Sequence, residues 1–290
     1  MAVDDINANE NIIPRYNISI DIIDSKCDPG VAVFRMTEML HTGPQYVMVL
    51  GDGCSVVSEA TAQVSHLYNV TQLSYGSSSP ILSDRKRYPR FFRITTPDQK
   101  LNEARLEIMK TFGWVKVATI HHAQEFFSAV TDDFVKKAAL YNVSIVSQEI
   151  FVHHPTARVE NIKAYKSGLY GPKIVWVFVG WFSETFWLLP QDDVPCTPEE
   201  MTAAAEGAFL TAATYYNPVE ERGIAGITDF IKTVSEFFER YYSDPGYDQK
   251  YDIYRFMVGQ VYDHLWLAAL TLNCTINELK RRGIPMITAW

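Results

Sequence analysis

Several things are scarce in this sequence, and each scarcity narrows what it can be. No apolar run approaches the roughly 18 residues of a membrane-spanning helix, and the opening MAVDDINANEN has no hydrophobic core of a secretory leader. Basic residues are outnumbered, 26 Lys and Arg against 34 Asp and Glu, and the net charge of −8 argues against a nucleic-acid partner. Only four cysteines occur in 290 residues (Cys27, Cys54, Cys196, Cys274); they permit three fully paired connectivities, and the residues choose none of them. No G-x-G-x-x-G follows a strand, since Gly51 and Gly53 lead into Ser55-Val56. No G-x-S-x-G elbow surrounds a serine, because Ser78 lies in G-S-S-S-P. The pairs His121-His122 and His153-His154 are adjacent, so they point apart on a strand and lack zinc-ligand spacing. No metal and no cofactor is expected, and there is no internal repeat.

What is present is ordinary for a globular protein, 47% hydrophobic and 21% charged, and long enough for one large domain or two lobes. The stretch Tyr46–Pro80 organises it. YVMVL reads as a parallel strand covered on both faces. Gly51-Asp52-Gly53 breaks it, Ser55 is expected to cap a helix with apolar positions Val57, Ala60, Val64 and Leu67, and VTQLSY is the next strand before the turn Gly76–Pro80. Two βα units place both turns at the carboxyl edge of one sheet, where open α/β sheets bind ligands. Ser55 beside the free amides of a helix start, and Ser78 from the neighbouring turn, would suit a carboxylate. A plain cap and a plain turn fit the same serines equally well.

Strands are expected at Ser19–Asp24, FFRIT, Lys116–Ala123, Val143–Phe151, Ile174–Trp181 and GAFLTAATYY. Helices are expected at Val31–His41, Leu101–Trp114, Phe126–Asn142, Ile227–Tyr242 and Phe256–Asn273, with the end of another at 1–13. Pro190–Met201 reads as a loop. The alternation fails at His153–Lys173, as though one strand and one helix were missing. Trp181, after Gly180 at a strand end, stands where a cleft would be. Four sequons, at Asn17, Asn69, Asn142 and Asn273, are glycosylation candidates and together lean extracellular.

GCSVVS and LSYGSSSP-ILSDRKRYPRFFR carry a recognisable pattern, joined by DSKCDPG, FGWVKVATI, LYGPKIVWVFVGWF, CTPEEMTAAAEG and YDHLWLAALTLN. The sequence resembles the extracellular Venus-flytrap domain of the metabotropic GABA-B receptors, in the class C receptor and periplasmic-binding-protein superfamily. The resemblance covers almost the whole chain. It implies an α/β fold of two lobes of the type I periplasmic-binding-protein kind, with elements of both lobes missing. Lobe 1 would be 1–96 with 186–275, lobe 2 a shortened 97–185, and 276–290 a truncated tail. It implies binding of 4-aminobutanoate (GABA) without chemistry, at the extracellular side of the plasma membrane. A second receptor subunit would be the partner, and a G protein would couple only through a membrane domain not in this sequence.

Carried onto this chain, the resemblance implies that Ser55 and Ser78 hold the ligand carboxylate, that Gly76 lines the site and that Trp181 contacts the ligand from the second lobe. It also implies a Cys27–Cys54 disulfide and leaves Cys196 without its family partner. Two positions depart from the ligand-binding pattern: Thr95 stands where that subunit has a histidine, and Met257 where it has the acid that holds the amine. Losing that acid removes a charge-assisted hydrogen bond of roughly 1.5–3 kcal/mol, so weak or no binding of GABA by this chain alone is expected. Whether Asp263 compensates is open. The alternatives are a non-ligand-binding partner subunit serving dimerisation, which Thr95 and Met257 favour, and a serine hydrolase using Ser55 or Ser78, which no elbow or assignable base supports.

Overall fold

A computed structural model describes residues 1–152, 168–179, 197–212, 234–247 and 255–284. The chain divides into two units, Met1–Thr96 with Thr214–Trp290, and Pro97–Ala213.

The first unit begins with α1 (Ala2–Ala8) and, after an extended stretch, α2 (Pro29–Thr42). Asp28 caps α2 by accepting the Val31 amide at 2.8 Å, and Pro29 opens its first turn, where a missing N–H costs nothing. There follow β1 (Met48–Leu50), α3 (Ser55–Leu67), β2 (Thr71–Ser74) and β3 (Phe91–Arg93). The three strands form one parallel sheet in the order β1-β2-β3. Ser19–Asp24 alternates like a strand but forms none. No described strand is ladder-bonded to it. It runs exposed, with Ile22 at 84%, tethered by Asn7 to Ile18 and by Tyr46 Oη to Asp21.

In the second unit α4 (Leu101–Thr111), β4 (Lys116–His122), α5 (Glu125–Ala138) and β5 (Ser144–Phe151) pack round Leu106, Met109, Phe134, Ala138 and Val143. β6 (Val177–Val179), α6 (Pro198–Ala205) and β7 (Phe209–Thr211) complete it. Its strands form two separate parallel pairs, β4-β5 and β6-β7, and no described strand joins them. Residues 153–167 of His153–Lys173, where the alternation of the sequence fails, lie outside the described residues. Two expectations are corrected here. Residues from 186 onward were assigned to the first lobe, yet 197–212 belong to the second unit, because β7 pairs with β6. The loop expected up to Met201 is interrupted by α6, which Thr197 and Glu200 start with a reciprocal capping box.

The chain returns to the first unit with α7 (Val234–Ser243) and α8 (Arg255–Arg282). Among the described residues no helix is long and apolar enough to cross a membrane. α1, α7 and α8 share a core of Ile6, Phe237, Tyr262, Trp266 and Ala269, all nearly inaccessible. Asp5 is buried among them and accepts from Arg240 Nη2 and from Tyr262 Oη, each at 2.7 Å. Removing the carboxylate strands a phenol and a guanidinium together. Asp5→Ala is expected to lower stability by about 2–3 kcal/mol, less than the roughly 3–5 kcal/mol of a fully buried pair because Arg240 keeps some solvent. Urea unfolding followed by tryptophan fluorescence measures it.

Candidate functional site

β1 and β2 end side by side, so the turns that follow them, Gly51–Cys54 and Tyr75–Ser79, leave the same edge of the sheet. Gly51 has φ +121°, open to glycine and closed to side chains. The main-chain carbonyl of Asp52 accepts from Ser74 Oγ at 2.6 Å and from Ser77 Oγ at 2.8 Å. Ser58 Oγ accepts the Asp52 amide at 3.1 Å and lies 2.8 Å from Ser77 Oγ. Ser58, Ser74 and Ser77 are fully buried, so this hydroxyl cluster sits behind the turns.

Ser55 is not the cap of α3. Cys54 holds that position, and its carbonyl takes the amides of Val57 and Ser58. Ser55 is the first helical residue, and its Oγ accepts the backbone amides of Ser78 and Ser79, each at 3.1 Å. A hydroxyl oxygen has two acceptor lone pairs and one proton. Both lone pairs are engaged, and what Ser55 keeps is a donor. Ser78 is half-buried, and among the described residues its Oγ makes no hydrogen bond. Ser79 is fully buried and its Oγ has no partner. Cys27 and Cys54 form a disulfide with Cα atoms 5.7 Å apart, which fastens the start of α3 to the turn before α2.

α8 closes one side of these turns. His264 is buried, and its Nε2 lies 2.6 Å from the Leu73 carbonyl, to which it donates, while its ring meets the edge of Tyr75. Burial holds the imidazole pKa below its ordinary value. Two turns earlier Met257 lies over Gly76: a Cβ on Gly76 would collide with Met257 Cε and stand 3.1 Å from Gly53 Cα. Gly76, Ser55, Ser78 and Met257 thus come together in the first unit, and Thr95 follows β3 at the same edge. Asp263 shares α8 with Met257 but not its face. Six residues at about 100° each put it roughly 120° round the helix from Met257. Trp181 and Cys196 lie outside the described residues.

The buried face of α3 also differs from expectation. Val57, Ser58, Thr61, Ala62 and Ser65 face inward, and Leu67 is 80% exposed. Hydroxyls decide the rotation. Ser58 serves the turn, and Thr61 and Ser65 bond Gln72, whose Nε2 also donates to the Gly51 carbonyl at 2.9 Å. Ser58, Gln72, Ser74, Ser77 and His264 escaped sequence reading, although serines three apart at 55 and 58 and the run at 77–79 were visible. Among the sequons, Asn69 and Asn142 are exposed at left-handed positions that asparagine tolerates, Asn17 is exposed, and Asn273 Oδ1 accepts the Ile13 amide. Cys274 is a free, exposed thiol. Among the described residues no cluster of His, Cys, Asp and Glu is placed to hold a metal.

Parallel α/β units whose turns gather hydroxyls and amides at the strand ends make the kind of edge at which open α/β sheets bind ligands. The sequence pattern of the family described as "Receptor family ligand binding region" matches residues 1–163, and the chain belongs to that family. Over 99% of its length it is 32% identical to gamma-aminobutyric acid type B receptor subunit 1 of Mus musculus. It is 29% identical over 96% to subunit 1 of Caenorhabditis elegans, and 25% identical over 96% to subunit 2 of Homo sapiens. It spans about a third of the length of these relatives, 32%, 33% and 31%.

Asp263 and His264 pull stability in opposite directions with pH. Burial raises the Asp263 pKa to about 6, so its charged form penalises the fold above that pH, and protonation relieves the penalty between about 6 and 3.8. His264, with its pKa lowered, contributes stability that is present above about 6.5 and lost as pH falls. Asp263→Asn is expected to stabilise the chain at pH 7.5 by about 1–2 kcal/mol, discounted for partial exposure. The advantage should disappear by about pH 4, the ordinary carboxylate value. Thermal unfolding of both proteins across this range measures it.

Proposed function

We propose that the chain is the ligand-recognition region of a GABA-B-type G-protein-coupled receptor, and that its first unit receives the carboxylate of a small amino acid, with GABA the ligand to test. The observation that carries this reading is the state of Ser55: with both lone pairs taken by Ser78 and Ser79 amides, it can offer a ligand only a proton. A carboxylate accepts such a proton and gains from the dipole of the thirteen-residue α3. Ser78 Oγ and Gly76 would complete the anchor. In this reading the region works outside the plasma membrane, beside a second receptor subunit. Its response would reach a G protein through a membrane domain of the longer receptor.

The amine end is held less well. Met257 supplies no charge where the resemblance places an acid, so affinity should fall by roughly 1.5–3 kcal/mol, about 10- to 150-fold. That departure favours one other reading, a partner subunit that binds no ligand and serves dimerisation. A serine hydrolase fits poorly. Ser55 has no lone pair left for a nucleophile's attack, and the Nε2 of the nearby His264 is committed to Leu73.

Thermal unfolding of the chain with GABA at tens of millimolar tests the reading. A ligand at a hundred times its dissociation constant adds about 2.7 kcal/mol of stability. The expected result is a GABA-specific rise in Tm that Ser55→Ala abolishes. A cooperative transition that GABA does not move would reject ligand binding in favour of the dimerisation subunit.

A further inference from the structure

We propose that Arg93 is the positioning residue of the carboxylate anchor, aiming the Ser78 amide at Ser55 from behind the turn; its link to a ligand rests on the function proposed above. Arg93 ends β3, the strand next to β2. Its Nη1 donates to the Ser77 carbonyl at 3.0 Å and to the Ser79 carbonyl at 2.7 Å, and its Nη2 to Ser83 Oγ at 2.7 Å. The Ser77 carbonyl and the Ser78 amide belong to one peptide unit. In a trans peptide these groups point to opposite sides, so holding the carbonyl on Arg93 turns the N–H away from it, toward Ser55 Oγ.

The chain of bonds then runs in one direction: guanidinium to the Ser77 carbonyl, Ser78 amide to Ser55 Oγ, and the Ser55 proton outward. Each bond polarises the next, so a positive charge at the back strengthens the donor at the front. Holding the Ser79 carbonyl from the same nitrogen leaves the turn little freedom to rotate either peptide. A lysine keeps the charge but lacks the planar fork that reaches two carbonyls and a hydroxyl together. Arg93 touches no ligand in this arrangement. It acts through the turn.

The test is backbone amide exchange of the full chain by NMR, without ligand, in Arg93→Lys, Arg93→Gln and Ser83→Ala. Expected is exchange at Ser78 and Ser79 faster by tenfold or more in both Arg93 variants and by a smaller factor in Ser83→Ala, with amides of α8 unchanged. Slow exchange at Ser78 and Ser79 in Arg93→Lys would overturn the proposal, since charge alone would then suffice. Should Arg93→Gln fail to fold, the lysine and Ser83 variants decide. A GABA titration in parallel is expected to show binding at least tenfold weaker in Arg93→Lys. If the unaltered chain binds no GABA, the carboxylate reading fails, while the exchange rates still judge the clamp.

Discussion

Ser55 Oγ can be shared by two amides only if the turn that supplies them stays within hydrogen-bond distance, and the half-buried Asp52, through its carbonyl, keeps it there. Two seryl hydroxyls from the second turn end on that carbonyl, and Ser58 closes the set from the helix side. An apolar lining could not do this. It would leave the carbonyl and amide of the half-buried Asp52 without these partners, at up to about 1–3 kcal/mol for each group. Serine is the smallest side chain that carries both donor and acceptor. The first turn, the second turn and the start of α3 therefore move as one piece, which the Cys27–Cys54 bridge ties to the turn before α2. On the chain-entropy account a bridge across 27 residues contributes about 3.5 kcal/mol.

That polar assembly depends on an apolar one further along the chain. α8 reaches the turns because Tyr262, Trp266 and Ala269 anchor it against α1 and α7. His264 shares a helix with those residues but faces β2, where it binds the Leu73 carbonyl in the middle of the sheet. A fixed helix axis and a fixed rotation then leave Met257 no place but over Gly76. Asp5, joined to Arg240 and Tyr262, holds the three helices in one register. The geometry at the strand ends thus derives from contacts made by residues more than 160 positions away in sequence.

Much of this was legible and some was not, for identifiable reasons. The strand-turn-helix rhythm of Tyr46–Pro80 survives as β1, α3 and β2, because apolar runs and glycine breaks are local signals. The convergence of Ser55, Gly76 and Ser78 follows from the parallel order of those strands. Rotation of α3 did not follow, since hydropathy favours Val64 and Leu67 while the hydrogen-bond needs of Asp52 and Gln72 favour Ser58, Thr61 and Ser65. Ser19–Asp24 carries the composition of a strand and lacks a neighbour, and no window of sequence reports a neighbour. Thr197 and Glu200 carry the local signal for α6, a capping box, amid prolines that suit a loop equally well.

Methionine at 257 and glycine at 76 constrain each other, and that pairing sets the character of the site. Any side chain at 76 would have to displace both Met257 Cε and the backbone of Gly53. Methionine suits the position because its flexible thioether can lie flat on a bare Cα. An acid there would exchange this contact for a charge, and its carboxylate would need a cation to offset its desolvation beside a half-buried turn. Met257 adds no charge to this wall, while in the first turn the Asp52 carboxylate accepts the Cys54 amide at 2.7 Å. On the carboxylate reading proposed above, the Ser55 proton would meet an anion, and the opposite end of the ligand would be left to shape and apolar contact. On that reading affinity would be set by donors at 55 and 78, and selectivity by what packs against Met257.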